Sequence, residues 1–320
     1  MSISPVRRMR VAEVERVASR IKRFRLVDAA GHDLPAFSGG AHVVVGMKKG
    51  DQLWRNAYSL MGAPGDTSSY QISVLRTEDS RGGSAFMHEE VEVGSEIEIT
   101  GPVNLFPIAK MGRRHILLAG GIGITPFMSM MHELSAQGAD FELHYGVRSF
   151  EQGAYCDHLK AQYGDRVRLY QSDKGEKLPL ERILEDQPLG SHMYVCGPKP
   201  MIDWALNLGR TVGWPEEALH SERFGAPAAG TPFVIKLARS QREIRVGPHQ
   251  SILEALEQNG IDAPYLCRGG ACGQCETAVV ACDGPLQHND HYLTDDERRS
   301  EKKIMICVSR TSGSSLTLDL

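Results

Sequence analysis

Four of the seven cysteines in this 320-residue chain stand at Cys267, Cys272, Cys275 and Cys307. The first three lie in Cys267-Arg268-Gly269-Gly270-Ala271-Cys272-Gly273-Gln274-Cys275, a C-x4-C-x2-C run, and the fourth follows after 31 residues. Four thiolates at this spacing have the chemistry to hold a [2Fe–2S] cluster. Glycines at 269, 270 and 273 allow positive φ and let amide N–H groups approach the cluster. The stretch from Ile304 to Ser309 reads as a buried strand that presents Cys307 from below. Structural zinc sites usually show two C-x2-C pairs, and only one exists here. A cluster of this kind passes one electron at a time, at about −400 mV. The rest of the chain should therefore supply or consume that electron.

Three further stretches carry chemistry. Arg55-Asn56-Ala57-Tyr58-Ser59 lies on a strand, so Arg55, Ala57 and Ser59 share one face and Asn56 and Tyr58 the other. An arginine fork grips phosphate, a tyrosine packs on a ring system, and a serine reaches a ring edge. Arg81-Gly82-Gly83-Ser84 opens a short helix, a setting for an anion, with Ser84 as the expected N-cap. Gly120-Gly121-Ile122-Gly123-Ile124-Thr125-Pro126 follows an apolar strand and precedes a helix, where a glycine turn cradles a pyrophosphate. Pro126 replaces the third glycine of the usual fingerprint and suits the first helical position. Later strand ends carry Arg148 and Ser149, then Asp173, then Cys196-Gly197-Pro198. An acid at Asp173 would bond ribose hydroxyls and repel a 2′-phosphate, favouring NADH over NADPH.

These motifs resemble those of the ferredoxin–NADP reductase superfamily, which pairs an R-x-Y-S flavin motif with a G-G-x-G-x-T-P nucleotide loop. The resemblance implies that the Arg81–Ser84 turn meets the flavin phosphate. It also implies that Cys196 lies near the nicotinamide carbon that gives up hydride, and that Phe224 lies against the flavin. Cys196 and Ser59 are then the expected catalytic residues.

The elements that must position these groups fall into three blocks. From residue 1 to 106, strands are expected at Arg8–Val17, Ile21–Val27, Ala41–Met47, Leu53–Leu60, Tyr70–Leu75 and Glu96–Thr100, with a helix near Ser84–Glu90. Six alternating strands and one helix suggest an antiparallel β-barrel. From 107 to 226 the pattern alternates strand and helix, the signature of an α/β parallel sheet. Strands are expected at His115–Ala119, Phe141–Val147, Val167–Gln171 and Met193–Cys196, with helices at Pro126–Gln137, Gln152–Gln162 and Leu180–Glu185. His220-Ser221-Glu222-Arg223-Phe224 reads as a closing strand. Residues 227–232 form a small-residue linker. From 233 to 320 come a hairpin, a helix opened by the capping box at Ser251, the cysteine loop, and strands that make a β-grasp ferredoxin domain.

Composition excludes several classes. A net charge of −4 argues against non-specific nucleic-acid binding. The longest uncharged run, Ile116–Met131, is broken by glycine and proline and is no membrane span. No apolar segment follows Arg7, Arg8 and Arg10, so no signal peptide is expected. Cys156, Cys196 and Cys282 remain outside the cluster set and do not form a disulfide framework, which fits a reducing cytoplasm. No Cys has a His three residues on, so the chain carries no Rieske centre of its own.

The order of flavin barrel, nucleotide domain and C-terminal ferredoxin resembles the phthalate dioxygenase reductase family over nearly the whole chain. Vanillate demethylase and carnitine monooxygenase reductases are similar. The resemblance implies FMN rather than FAD, NADH, a [2Fe–2S] cluster, and a separate Rieske non-haem iron oxygenase as electron acceptor. Two other readings stay open at this point. One is a flavin and iron–sulfur reductase serving a haem protein or a non-Rieske monooxygenase. The other is an electron carrier that works by the cluster alone.

Overall fold

The computed structural model describes residues 5–50, 52–78, 80–185, 187–225 and 229–320. The chain divides into two compact units after Arg223. The first unit holds two sheets and the second holds the cysteine loop.

The first sheet has six antiparallel strands: β1 (Arg7–Ala18), β2 (Ile21–Asp28), β3 (His42–Lys49), β4 (Gln52–Ser59), β5 (Tyr70–Leu75) and β6 (Glu96–Val103). Their order is β4-β3-β6-β1-β2-β5. Just past β4, the Met61 N–H donates to the Gln71 carbonyl of β5 at 3.0 Å, bringing the two edges of the sheet together. Alternation builds its core. Val43, Val45 and Met47 of β3 point inward with Ile72 and Val74 of β5, and the β-branched valines and isoleucine suit a pleated, half-buried surface. Helix α1 (Gly83–Glu89) covers the sheet through Met87 and Phe86. His88 accepts its structural role: its Nε2 lies 2.8 Å from the Val74 carbonyl.

The second sheet is parallel, from β7 (Arg114–Gly120), β8 (Asp140–Val147), β9 (Val167–Gln171), β10 (Ser191–Cys196) and β11 (Leu219–Glu222). Helices α2 (Thr125–Ala136), α3 (Cys156–Tyr163), α4 (Leu180–Glu185) and α5 (Lys199–Thr211) connect them. The strand order is β11-β10-β7-β8-β9. Central β7 is apolar from Ile116 to Ala119 because both its faces are covered there. Leu117 and Ala119 pack with Phe127, Met130 and Leu134 of α2, whereas Ile116 and Leu118 pack with Ile183 of α4 and Ile202 of α5. The chain leaves β7 toward β8 and returns to the other side for β10. The crevice between the carboxyl ends of β7 and β10 is thus the topological switch point, the place where such sheets bind ligands. Helix α3 starts at Cys156, later than the expected Gln152, because Gln152 and Gly153 N–H groups turn back onto the Ser149 carbonyl.

The second unit contains β12 (Phe233–Leu237), β13 (Glu243–Val246), α6 (Ile252–Gln258), β14 (Glu276–Cys282), β15 (Leu286–Gln287), α7 (Asp295–Ser300), β16 (Lys303–Met305), β17 (Arg310–Thr311) and β18 (Ser315–Leu318). Its main sheet runs β13-β12-β18-β14-β16, with β12 and β18 parallel. The capping box forms as expected: Glu254 N–H donates to Ser251 Oγ at 3.0 Å, and Ser251 N–H donates to Glu254 Oε2 at 2.8 Å. One expectation fails. The strand over Ile304–Ser309 stops at Met305, because Val308 and Ser309 N–H groups both bond the Met305 carbonyl and curl the chain. Cys307 therefore sits on a turn. Of the expected linker, residues 227 and 228 lie outside the described residues.

Candidate functional site

On β4 the inward face carries Trp54, Asn56 and Tyr58, paired across β3 with Met47, Val45 and Val43. Arg55, Ala57 and Ser59 take the outward face, opposite Gly46, Val44 and His42. The resemblance to R-x-Y-S is therefore inexact in a way that matters. Arg55 stands three residues before Tyr58 rather than two, so the pleat sends arginine and tyrosine to opposite faces. Asn56 occupies the register of the motif arginine, and its Nδ2 donates to the Tyr58 hydroxyl at 3.2 Å. Tyr58 packs one side on the barrel core, and burial pushes its phenol up to about 12.

The Arg81–Ser84 turn closes onto this strand. Trp54 Nε1 donates to the Arg81 carbonyl at 2.9 Å. Gly82 has φ of 124°, and a side chain there would overlap the Trp54 ring. A Cβ on Gly83 would come within 2.5 Å of Asn56 Nδ2. Ser84 is not the N-cap. Gly82 holds that position without a side-chain bond, and the Ser84 hydroxyl is drawn into Thr77 and Ser80 at 3.1 and 2.9 Å. The residue missed by sequence reasoning is Ser80, whose Oγ accepts the Gly82 and Ala85 N–H groups at 3.1 and 3.3 Å. A serine just ahead of a glycine pair that opens a helix was the available signal. Ser59 Oγ is buried and has no hydrogen-bond partner among the described residues. A buried orphan hydroxyl is costly, so a polar ring edge placed there would offset its desolvation. The residues thus fit a flavin.

At the switch point the glycines are obligatory. A Cβ on Gly123 would overlap the Cys196 carbonyl, and one on Gly120 would sit 2.7 Å from Pro198 Cδ. The turn after β7 and the Cys196-Gly197-Pro198 turn after β10 are therefore pressed together. Tyr145 supports the first from below by donating its hydroxyl to the Gly121 carbonyl at 3.1 Å. Thr125 keeps its hydroxyl within the turn, donating to the Ile122 carbonyl at 3.1 Å. Met61, two residues past Ser59, belongs to the same apolar cluster as Ile124, Phe127 and Cys196. The end of β4 is thereby set against the carboxyl edge of the parallel sheet.

Cys196 is buried, and desolvation raises its pKa well above the ordinary thiol value, with Glu222 adding to the effect. It is a thiol at neutral pH, not a nucleophilic thiolate. Glu222 pairs with it in register across β10 and β11. Desolvation pushes the Glu222 carboxyl up to about 8, and its Oε2 is closed to solvent with no partner among the described residues. Sequence reasoning quoted this residue within the closing strand but gave it no role. Phe224, two residues on, is exposed.

Arg148, Ser149 and Asp173 lie at the carboxyl ends of β8 and β9, with the Asp173 N–H bonded to the Arg148 carbonyl at 3.1 Å. Arg148 and Asp173 are exposed, and Asp173 makes no ion pair among the described residues. Both are open to a ribose.

The four cysteines converge within the second unit. Cys307 shares hydrogen bonds with Cys267 and Cys275, the latter at 3.2 Å between sulfurs, and Cys267 with Cys272. Gly269 and Ala271 N–H groups both point at Cys267 Sγ at 3.4 Å. The bonds from Cys272 and Cys307, and then these N–H groups, hold the Cys267 thiol well below its usual range. Gly270 and Gly273 take φ of 75° and 74°, as the loop demanded. Cys272 is the least buried of the four. An all-thiol donor set with amides aimed at sulfur fits a [2Fe–2S] cluster.

Comparison with known proteins agrees with this geometry. A 2Fe-2S iron-sulfur cluster binding domain model matches residues 235–312. A model for the N-terminal domain of dimethylamine monooxygenase subunit DmmA-like proteins matches 103–219. The solved structure of phthalate dioxygenase reductase, described as modular for electron transfer from pyridine nucleotides to [2Fe–2S], superposes with a TM-score of 0.89 at 35% identity, covering 98% of each chain. A flavin and iron–sulfur oxidoreductase drawing on pyridine nucleotides is the class that fold and site define. The carnitine monooxygenase reductase subunit of Acinetobacter pittii is 46% identical over 309 residues, covering 96% of this chain and all of that one. The beta subunit of a heme-dependent oxidative N-demethylase from Ectopseudomonas mendocina is 41% identical over 98% of each chain. The chain belongs to the phthalate dioxygenase reductase family.

Proposed function

We propose that the protein is the reductase component of a multicomponent Rieske non-haem iron oxygenase or demethylase, oxidising NADH and delivering single electrons through FMN and the [2Fe–2S] cluster. The observation that carries this reading is the full-length identity with oxygenase reductase subunits, in a chain whose nucleotide turn, buried Ser59 and four-thiol loop are all in place. Bound flavin would supply the conversion of a two-electron hydride into single electrons. The chain's residues do the rest. Arg55, with the Arg81–Ser84 turn, binds the flavin phosphate, and FMN is preferred to FAD on the family resemblance. Asn56, Ala57 and Tyr58 line the strand beneath it, and Ser59 offers its hydroxyl to the ring edge. Gly120, Gly121, Gly123 and Thr125 form the pyrophosphate turn. Arg148, Ser149 and Asp173 take the adenosine ribose, and Asp173 selects NADH by repelling a 2′-phosphate. Cys196, Gly197 and Pro198 orient the nicotinamide. Cys267, Cys272, Cys275 and Cys307 hold the cluster, with part-exposed Cys272 marking the exit. Among the described residues no helix is long and apolar enough to cross a membrane. We place the protein in the cytoplasm, whose reducing conditions suit its unpaired cysteines.

A haem acceptor is the second reading, and the Ectopseudomonas relative favours it. The test is to reduce the protein with NADH and mix it with a Rieske oxygenase component or with a haem N-demethylase component. Turnover with the Rieske component, with FMN in the extract, is the expected result. Turnover with the haem component alone, or FAD in the extract, would overturn the corresponding part.

A further inference from the structure

Arg268 follows the first cluster ligand directly and has φ of 54°, a left-handed conformation that L-residues with a Cβ avoid. A glycine would take this conformation without strain. The chain instead spends a long cationic side chain there and buries it: Arg268 is 7% exposed. Its guanidinium stacks on the Tyr265 ring, with Cζ 4.0 Å from the centroid, and pairs with Glu257 of α6. Glu257 is itself largely buried. Buried ion pairs are weak devices for stability, since an apolar replacement of similar volume often does as well or better. Their distinctive property is a fixed charge in a low dielectric. On the backbone, the left-handed turn at Arg268 precedes the two amides, of Gly269 and Ala271, that point at Cys267 Sγ.

We propose that the Arg268–Glu257 pair, seated on Tyr265, is a positioning element for the cluster. It locks the turn that aims two amides at Cys267, and it sets the reduction potential through a compensated positive charge beside that ligand. The inference rests on the [2Fe–2S] assignment and not on which oxygenase is served. Reduction adds one negative charge to the cluster. A cation nearby favours the reduced form, and a carboxylate opposes it. The two partners must therefore pull the potential in opposite directions. Removing Glu257's charge leaves the cation uncompensated and makes reduction easier. Removing Arg268 leaves a carboxylate and makes reduction harder.

The test uses the full-length holoenzyme and two variants, Glu257→Gln and Arg268→Gly. Glycine takes the same positive φ without strain, so the variant removes the side chain without forcing the turn. Cluster potentials are measured by redox titration, and the reduced-state EPR spectrum is recorded for each. Expected are an upward shift for Glu257→Gln, a downward shift for Arg268→Gly, and altered g-values in the latter. Unchanged potentials, or shifts of the same sign, would overturn the proposal. Should Arg268→Gly fail to assemble a cluster, Glu257→Gln decides alone: an upward shift supports the proposal and an unchanged potential refutes it. Absence of a cluster from the parent protein would remove the cluster assignment itself, and this inference with it.

Discussion

At neutral pH the Glu222 carboxyl keeps its proton, because burial lifts it to about 8 beside the equally buried Cys196. Its unfolded value is near 4.5, so the stability its neutral burial lends is complete below that pH and is lost as pH rises through about 8. His220 works in the opposite sense. Desolvation, with His192 at 3.0 Å, lowers it from 6.5 to about 4, so its contribution is present above 6.5 and lost as pH falls through about 4. Thermal melts against pH should show the parent losing stability, relative to Glu222→Gln, as pH rises from about 4.5 to about 8. They should also show His220→Gln losing less than the parent between pH 6.5 and 4. Equal slopes for parent and variant would contradict the burial assigned to either group. At Arg55, replacement by alanine should weaken flavin binding about tenfold or more, the scale of a charge-assisted hydrogen bond. Full flavin content in Arg55→Ala would remove that residue from the site. The convergence of Cys267, Cys272 and Cys275 was legible in the sequence because their spacing is local. Glu222 was not, since a carboxyl becomes buried only when β11 pairs with β10.

Elements show the same division between local and distant causes. The capping box at Ser251 was readable because four consecutive residues contain both partners. Ser251→Ala should cost the second unit about 0.5–2 kcal/mol, seen as a lower melting temperature for loss of the cluster absorbance. The Cys307 turn was not readable, because Ile306 and Val308 have the composition of a strand, whereas the Val308 and Ser309 N–H groups turn back onto the Met305 carbonyl. Ser84 was misplaced because a serine near a helix start ordinarily caps it, whereas here Thr77 and Ser80 compete for its hydroxyl. Gly82 combines φ of 124° with contact against the Trp54 ring. Gly82→Ala should therefore cost about 1–3 kcal/mol and release flavin at lower temperature, measured by flavin fluorescence on heating. Release at the parent's temperature would show that this turn does not set the flavin site.

Across the whole molecule, the order of the three large sheets was legible from changes in hydrophobic period, from alternation to strand–helix repeats and back. The order of strands within each sheet was not, because pairing partners are set by long-range packing. The switch point between β7 and β10 brings Gly123 against Cys196, residues separated by most of the nucleotide module. On the proposed function, electrons enter from a pyridine nucleotide at that crevice and leave by the four-thiol loop. The most direct test is anaerobic titration of the purified protein with NADH, followed by visible absorbance and EPR. The account predicts bleaching of a flavin band and a rhombic signal approaching about one unpaired electron per chain. A flavin that bleaches while the cluster stays oxidised, or a protein without flavin, would contradict it.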